Sequence, residues 1–165
     1  MKNYVIGAAL AACAVAAHSA DERTAAAVAK KYSEAIACQI VEKEFQRNQY
    51  KAVKVVSGDK DLGGLGDLYV VYWEGDSGCS GGNGTVQPNF TILEQRGFAS
   101  VDPVVVTDYQ FPELELVRLT SLTGKNGQLQ ISGVMFGPSD NQGVPTQKVN
   151  YTLRFDPEKS AFLKR

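Results

Sequence analysis

The chain has 165 residues, 17 basic and 18 acidic side chains, one histidine and three cysteines. That length suits one domain, and a formal charge of −1 with scattered cations excludes the concentrated basic face that nucleic acid requires. Lys30-Lys31 and Lys164-Arg165 are the only adjacent basic pairs, so no polybasic membrane-binding segment is present either.

Residues 1–19 read as a secretory leader. Lys2 precedes an apolar run from Tyr4 to Ala17, and small residues then lead into Asp21-Glu22-Arg23. Ala17 and Ser19 suit a cleavage site after Ser19, with Ala20 as the alternative last leader residue. Leu10-Ala11-Ala12-Cys13 offers a second reading, a bacterial lipoprotein box in which Cys13 carries lipid. Membrane attachment is expected only in that case. Residues 20–165 then form a single domain, periplasmic or secreted, or held at the outer membrane through Cys13.

Trimming the leader leaves 16 basic and 18 acidic residues, no histidine, and Cys38 and Cys79. An even cysteine pair in an exported chain predicts a disulfide. The loop it closes is worth about 4 kcal/mol in the chain-entropy treatment.

From Asp21 to about Gln49 the chain lacks glycine and proline and is rich in helix formers. Val28, Tyr32, Ile36 and Ile40 recur every four residues, with Ala25 and Ala29 on their side, which predicts a long amphipathic helix capped by Thr24 or Asp21. The period then changes to two. Lys51–Val56 alternates, and Leu68–Trp73 is apolar on both faces, as a central strand is. Between them, SGDKDLGGLGD carries Asp59, Asp61 and Asp67 but breaks the EF-hand order, and it reads as a solvated acidic loop. Strands are further expected around Phe90–Gln95, at Leu116–Leu122, through Leu129–Met135 after an Asn126-Gly127 turn, at Val149–Phe155 and at the C-terminus. The proline-bearing 101–113 segment suits an edge at best. The expected fold is α+β: a long N-terminal helix inside a curved antiparallel meander, a cystatin-like or NTF2-like roll. The alternative is a β-sandwich with an appended helix.

The run YWEGDSGCSGGNG contains Gly-Asp-Ser-Gly, the surroundings of a serine protease nucleophile. Ser77 nevertheless lacks a base, because a serine hydroxyl needs an imidazole or its equivalent and His18 leaves with the leader. Zinc and Cys-His chemistry fail for want of histidine and of free thiols. The loop has no G-K-[ST] ending for a phosphate and runs into a strand. No metal, cofactor or catalytic residue is therefore expected. Glu74 and Asp76 stand two apart as a carboxylate pair, but such pairs are common and glycosidases also need a sugar cleft.

The run from Trp73 to Gly84, W-x-G-D-x-G-C-x-G-G-x-G, resembles one in small exported proteobacterial proteins. The resemblance covers a quarter of the chain at most and implies a bacterial envelope address, with no activity attached. The expected function is a non-catalytic exported binding protein, an inhibitor or immunity protein whose partner is another protein. Its candidate contact residues are Glu74, Asp76 and Ser77, the loop aromatics Tyr109 and Phe111, and Asp140 and Asn141 of a later polar loop. The alternative is a small-ligand carrier with a pocket between helix and sheet, lined by Tyr32, Tyr69, Tyr72, Trp73 and Tyr151.

Overall fold

The computed structural model of the chain describes residues 21–82, 85–98, 101–141 and 143–165. The expected leader, its expected cleavage site and the Cys13 box lie outside the described residues, as do Asn83 and Gly84 of the glycine-rich run. Among the described residues one helix, α1 (Glu22–Ile36), is followed by β1 (Gln39–Ile40), β2 (Lys51–Val56), β3 (Leu68–Asp76), β4 (Gln87–Glu94) and β5 (Val104–Val105). Then come β6 (Arg118–Lys125), β7 (Gln128–Met135), β8 (Gln147–Asp156) and β9 (Ala161–Lys164).

The strands form two antiparallel sheets. In the first, β3 is central: β4 flanks it on one side, and β1 and β2 share the other, with β5 beyond β4. The second is a meander, β6-β7-β8-β9. Its first hairpin turns on Asn126 and Gly127, both at positive φ (52° and 75°) as a two-residue type I′ turn demands.

All nine residues of β3 are buried, which explains its unbroken apolar sequence. Leu68, Val70 and Tyr72 face the second sheet and join Val53, Val55, Ile92, Leu119, Leu129, Ile131, Leu153 and Phe162 in the main core. Tyr69 and Val71 face the other way, onto α1. The alternation expected on β8 holds: Val149, Tyr151, Leu153 and Phe155 all pack on the main core. Each fully buried aliphatic side chain here contributes roughly 1.5–3 kcal/mol.

The sheets curl together into a half-barrel. Along one side β6 lies against β2, so close that a Cβ on Gly124 would stand 2.7 Å from the Lys54 carbonyl oxygen. The Gly127 N–H donates to the Val55 carbonyl there at 2.8 Å. On the other side Gln110 bridges to Ala161 in parallel, tying the segment after β5 to β9.

The α+β class is as expected, but the helix differs in length and place. It ends at Ile36, not in the forties. Ala37 is extended (φ −98°, ψ 138°), and the Cys38 N–H donates to the Asp76 carbonyl at 3.0 Å, so strand pairing with β3 overrides local helix propensity. Asp21 is the cap, accepting from the Thr24 N–H at 2.8 Å. The buried face is Ala25, Ala29 and Ser33, with Val28 and Tyr32 only half-buried and Ile36 exposed. Small residues let the helix axis lie close over Tyr69, Val71 and Leu93. The helix thus covers the outer face of the first sheet, and the second sheet fills the curl where a roll would hold its helix.

The acidic loop between β2 and β3 also differs. Asp59 and Asp61 are exposed, but Asp67 is buried. It pairs with Lys54 Nζ at 2.5 Å and accepts from the Gly58 N–H at 2.7 Å and the Tyr69 hydroxyl at 3.0 Å. Burial, followed by this hydrogen bond to Asp67, pushes the Tyr69 phenol far above its usual range. A carboxylate so placed must be paired to be tolerated.

The helix register is testable. Ala29→Leu should push α1 off the sheet and lower the unfolding free energy by about 1–3 kcal/mol. Ile36→Ala should change it by less than about 0.5 kcal/mol. Urea titration of both variants checks this, and equal losses would restore the Ile36-centred stripe.

Candidate functional site

The residues singled out at the end of β3 come together as one structure. Trp73 is locked on the helix-facing side, its indole N–H donating to Thr91 Oγ1 at 2.9 Å. Gly75 follows because β1 lies alongside: a Cβ there would stand 2.6 Å from the Gln39 carbonyl oxygen and 2.7 Å from the Trp73 ring. Gln39 pairs with Asp76 and Ile40 with Gly75. That register brings Cys38 to Cys79, and the two form the expected disulfide, with Cα atoms 5.2 Å apart.

Asp76 organises the glycine-rich loop from within. Its backbone ends β3, and its buried carboxylate accepts from the N–H groups of Ser80 and Gly81, each at 3.3 Å. Burial alone would raise its pKa. Hydrogen bonds from the Thr85 hydroxyl and from the N–H groups of Gly81, Ser80 and Cys79 outweigh that, and the carboxyl lies below the usual range. The loop thus resembles an anion-binding nest whose anion is its own aspartate. Cys79 itself holds a positive φ of 51°, rare for a residue with a side chain.

Ser77 is exposed, and its hydroxyl donates to Asn89 Oδ1 at 2.9 Å. An amide oxygen takes a hydrogen bond but not a proton, so this contact does not activate the serine. Asn89 in turn donates to the Gly75 carbonyl at 3.1 Å, fixing the loop base to β3 and β4.

Glu74 points to the main-core side of β3, where the apolar run ends. It is buried, and its carboxylate accepts from the Tyr72 hydroxyl and from Gln46 Nε2. Gln49 completes the frame, accepting from the Glu74 N–H at 2.8 Å and donating to its carbonyl at 3.2 Å. The Tyr72 oxygen also accepts from the Leu119 N–H at 3.2 Å, and Asn48 Nδ2 donates to the Leu119 carbonyl at 2.9 Å. Burial, then the hydrogen bond to Glu74, drives the Tyr72 phenol far above its usual range. Residues 46–49 therefore form a polar plug over one end of the apolar core. Glu74 is committed inside it and does not work as a free partner to Asp76.

The other candidates are placed elsewhere. Tyr109 donates to Glu94 Oε2 at 3.1 Å, and Glu94 pairs with Leu68 at the far end of β3 from Asp76. Its ring stacks on Phe155 at 5.5 Å, while Phe111 stacks on Phe90 at 4.8 Å and touches Phe162 at 5.3 Å. Both pack on the core edge and are not projecting anchors. Asp140 accepts from the Gly137 N–H at 2.8 Å and from the Thr146 N–H and hydroxyl at 2.7 and 2.6 Å. These bonds hold its carboxyl below the usual range and shape its own loop, leaving Asn141 exposed beside it. The aromatics expected to line one pocket between helix and sheet do not share a face of β3. Tyr69 and Trp73 are buried on the helix-facing side of β3, and Tyr72 is buried on the opposite side.

Gln46, Gln49 and Tyr72 escaped the sequence reading as partners of Glu74, and Lys54 as the partner of Asp67. The usable signal was the carboxylate itself: an acid at the end of a strand buried on both faces needs donors from somewhere. Among the described residues, no three His, Cys, Asp or Glu side chains gather into a group that could hold a metal ion. No protein-family model, curated protein or solved structure matches the chain.

Asp76 and Asp140 both have folded pKa values below their unfolded ones. Each therefore contributes stability present above the ordinary carboxylate range and lost as pH falls through the lowered folded value. Hydrogen-exchange protection at the Ser80 and Gly81 amides should fall in that acidic window. Asp76→Asn should abolish this step at Ser80 and Gly81 while leaving the corresponding step at Gly137 and Thr146 intact. A pH-independent loop in the unsubstituted chain would contradict the role given to Asp76.

Proposed function

We propose that this is a non-catalytic binding protein of the bacterial envelope, of the inhibitor or immunity kind, and that residues 77–82 form its contact loop for another protein. The observation that carries the reading is the state of that loop. Residues 77–82 are all exposed and add nothing to the core, yet the chain fixes them with a disulfide and a buried carboxylate. Holding an exposed loop in one shape removes ordering entropy that a partner would otherwise have to overcome. The Cys38–Cys79 bond and the leader-like first nineteen residues support an exported address. Among the described residues, no helix is long and apolar enough to cross a membrane.

The absence of an imidazole from residues 20–165, the amide partner of Ser77 and the internal commitment of Glu74 and Asp76 favour binding over turnover. Of the residues first considered for contact, Ser77 retains an exposed place on the loop, with Asp76 as its organiser and Asn141 exposed on a separate loop.

A photo-crosslinking residue placed at Ser80 should capture one discrete protein from envelope extract. The same probe at Thr123, exposed on β6, should not, and Cys38→Ser with Cys79→Ser should weaken capture at Ser80. Equal labelling at both positions, or hydrolysis of an ester or peptide lost in Ser77→Ala, would overturn the reading.

A further inference from the structure

A cleft of about 620 Å³ runs between α1 and the 40–50 segment. We propose that it binds a single-chain amphipathic anion of the fatty-carboxylate class, with the acyl chain along the helix and the carboxylate between Arg23 and Lys43. This site is separate from the 77–82 loop, and neither Tyr69 nor Trp73 lines it.

The floor is apolar. Ala26 and Tyr50 belong to the half-buried fringe of the helix–sheet core, and Ala27, Ile40 and Val41 extend the lining. The volume falls within the range of small-molecule sites. From Arg23 to Glu34 the helical wall runs about 16 Å at 1.5 Å per residue, the reach of a medium-length acyl chain.

Both walls are set before any ligand arrives. The Val41 N–H donates to the Glu74 carbonyl at 3.1 Å, and β1 pairs with the end of β3, so the wall facing the helix belongs to the first sheet. Gln49 is held by both backbone groups of Glu74. Tyr50 adopts φ +60°, a costly conformation for a bulky residue, and its hydroxyl meets Ser33 Oγ at 2.8 Å, spanning from the segment to the helix. Strained backbone held by its surroundings is a feature of binding sites, and here it positions the ring that floors the cleft.

The charges select the head group. Lys30 and Glu34 neutralise one another across one helical turn. Of the remaining lining charges, Arg23 and Lys43 oppose Glu42 alone. Neither cation lies within salt-bridge distance of a carboxylate among the described residues, although Arg23 acts on Asp21 at longer range. Two cations over an apolar floor favour an anion with a tail above a neutral or cationic amphiphile.

The test uses the purified chain and a dansyl-undecanoate probe, displaced by dodecanoate, dodecanol or dodecyltrimethylammonium. Dodecanoate should displace best. Arg23→Glu with Lys43→Glu should weaken it about tenfold while leaving dodecanol nearly unchanged. Ala27→Trp, at an exposed position, should block all three without altering the melting temperature. Equal displacement by dodecanol, indifference to the charge reversal, or no probe binding at millimolar concentration would overturn the proposal. So would a concentration-dependent dimer in sedimentation that Ala27→Trp dissolves, since the cleft would then belong to a second copy of the chain.

Discussion

The structure depends on covering both faces of β3. A strand with nine consecutive buried residues cannot lie at a surface, and its two faces require two different covers. One is the β6–β9 meander, which supplies most of the large aliphatic side chains of the main core. The other is α1, which approaches on alanine and serine because the opposing residues, Tyr69, Val71 and Leu93, already supply the bulk. Close packing needs a small surface against a large one, and the chain divides those parts between helix and strand.

The end of β3 is where that requirement meets polar residues. Within four positions the chain passes from Trp73 through Glu74 and Gly75 to Asp76, all still buried. Each polar group there is answered locally: Glu74 by Tyr72 and two glutamines, Asp76 by the amides of the loop it begins. The glycine-rich run that imitates a protease motif thereby has a structural reason. Gly75 admits the backbone of β1, and the loop amides converge on Asp76, which leaves Ser77 at the rim with an amide for a neighbour. The same arrangement braces the wall of the cleft beside α1, because Val41 and Gln49 both bond to the backbone of Glu74.

Local signals in the sequence were reliable where local forces decide. The Asn126-Gly127 turn needs positive φ at two positions, and the alternation from Val149 to Phe155 needs one wet and one dry face, so both could be read directly. The cysteine pair followed from parity and the expected export. The helix end could not be read, since residues 37–49 carry good helix formers, yet residues 38–41 pair instead with β3, about 35 positions downstream. The split into two sheets was likewise hidden, because alternation reports which side of a strand is dry but not which partner dries it. Tyr109 and Phe111 looked like anchors because they stand in a proline-bearing segment. Their stacking on Phe155 and Phe90 depends on contacts that no short window contains. Asp67 seemed one of three solvated acids until Lys54, from the preceding strand, was seen to neutralise it.

The cystine also has a mechanical side. Its two ends are 41 residues apart and enclose β1, β2 and the whole of β3 within a covalent ring. A pulling force on the chain termini, such as a translocase or an unfolding protease exerts, passes across the sulfur bridge and cannot stretch the strands inside. The oxidised chain would therefore extend about 140 Å less than the reduced one, at 3.3–3.6 Å per residue, and its central strand would be the last part that traction could reach.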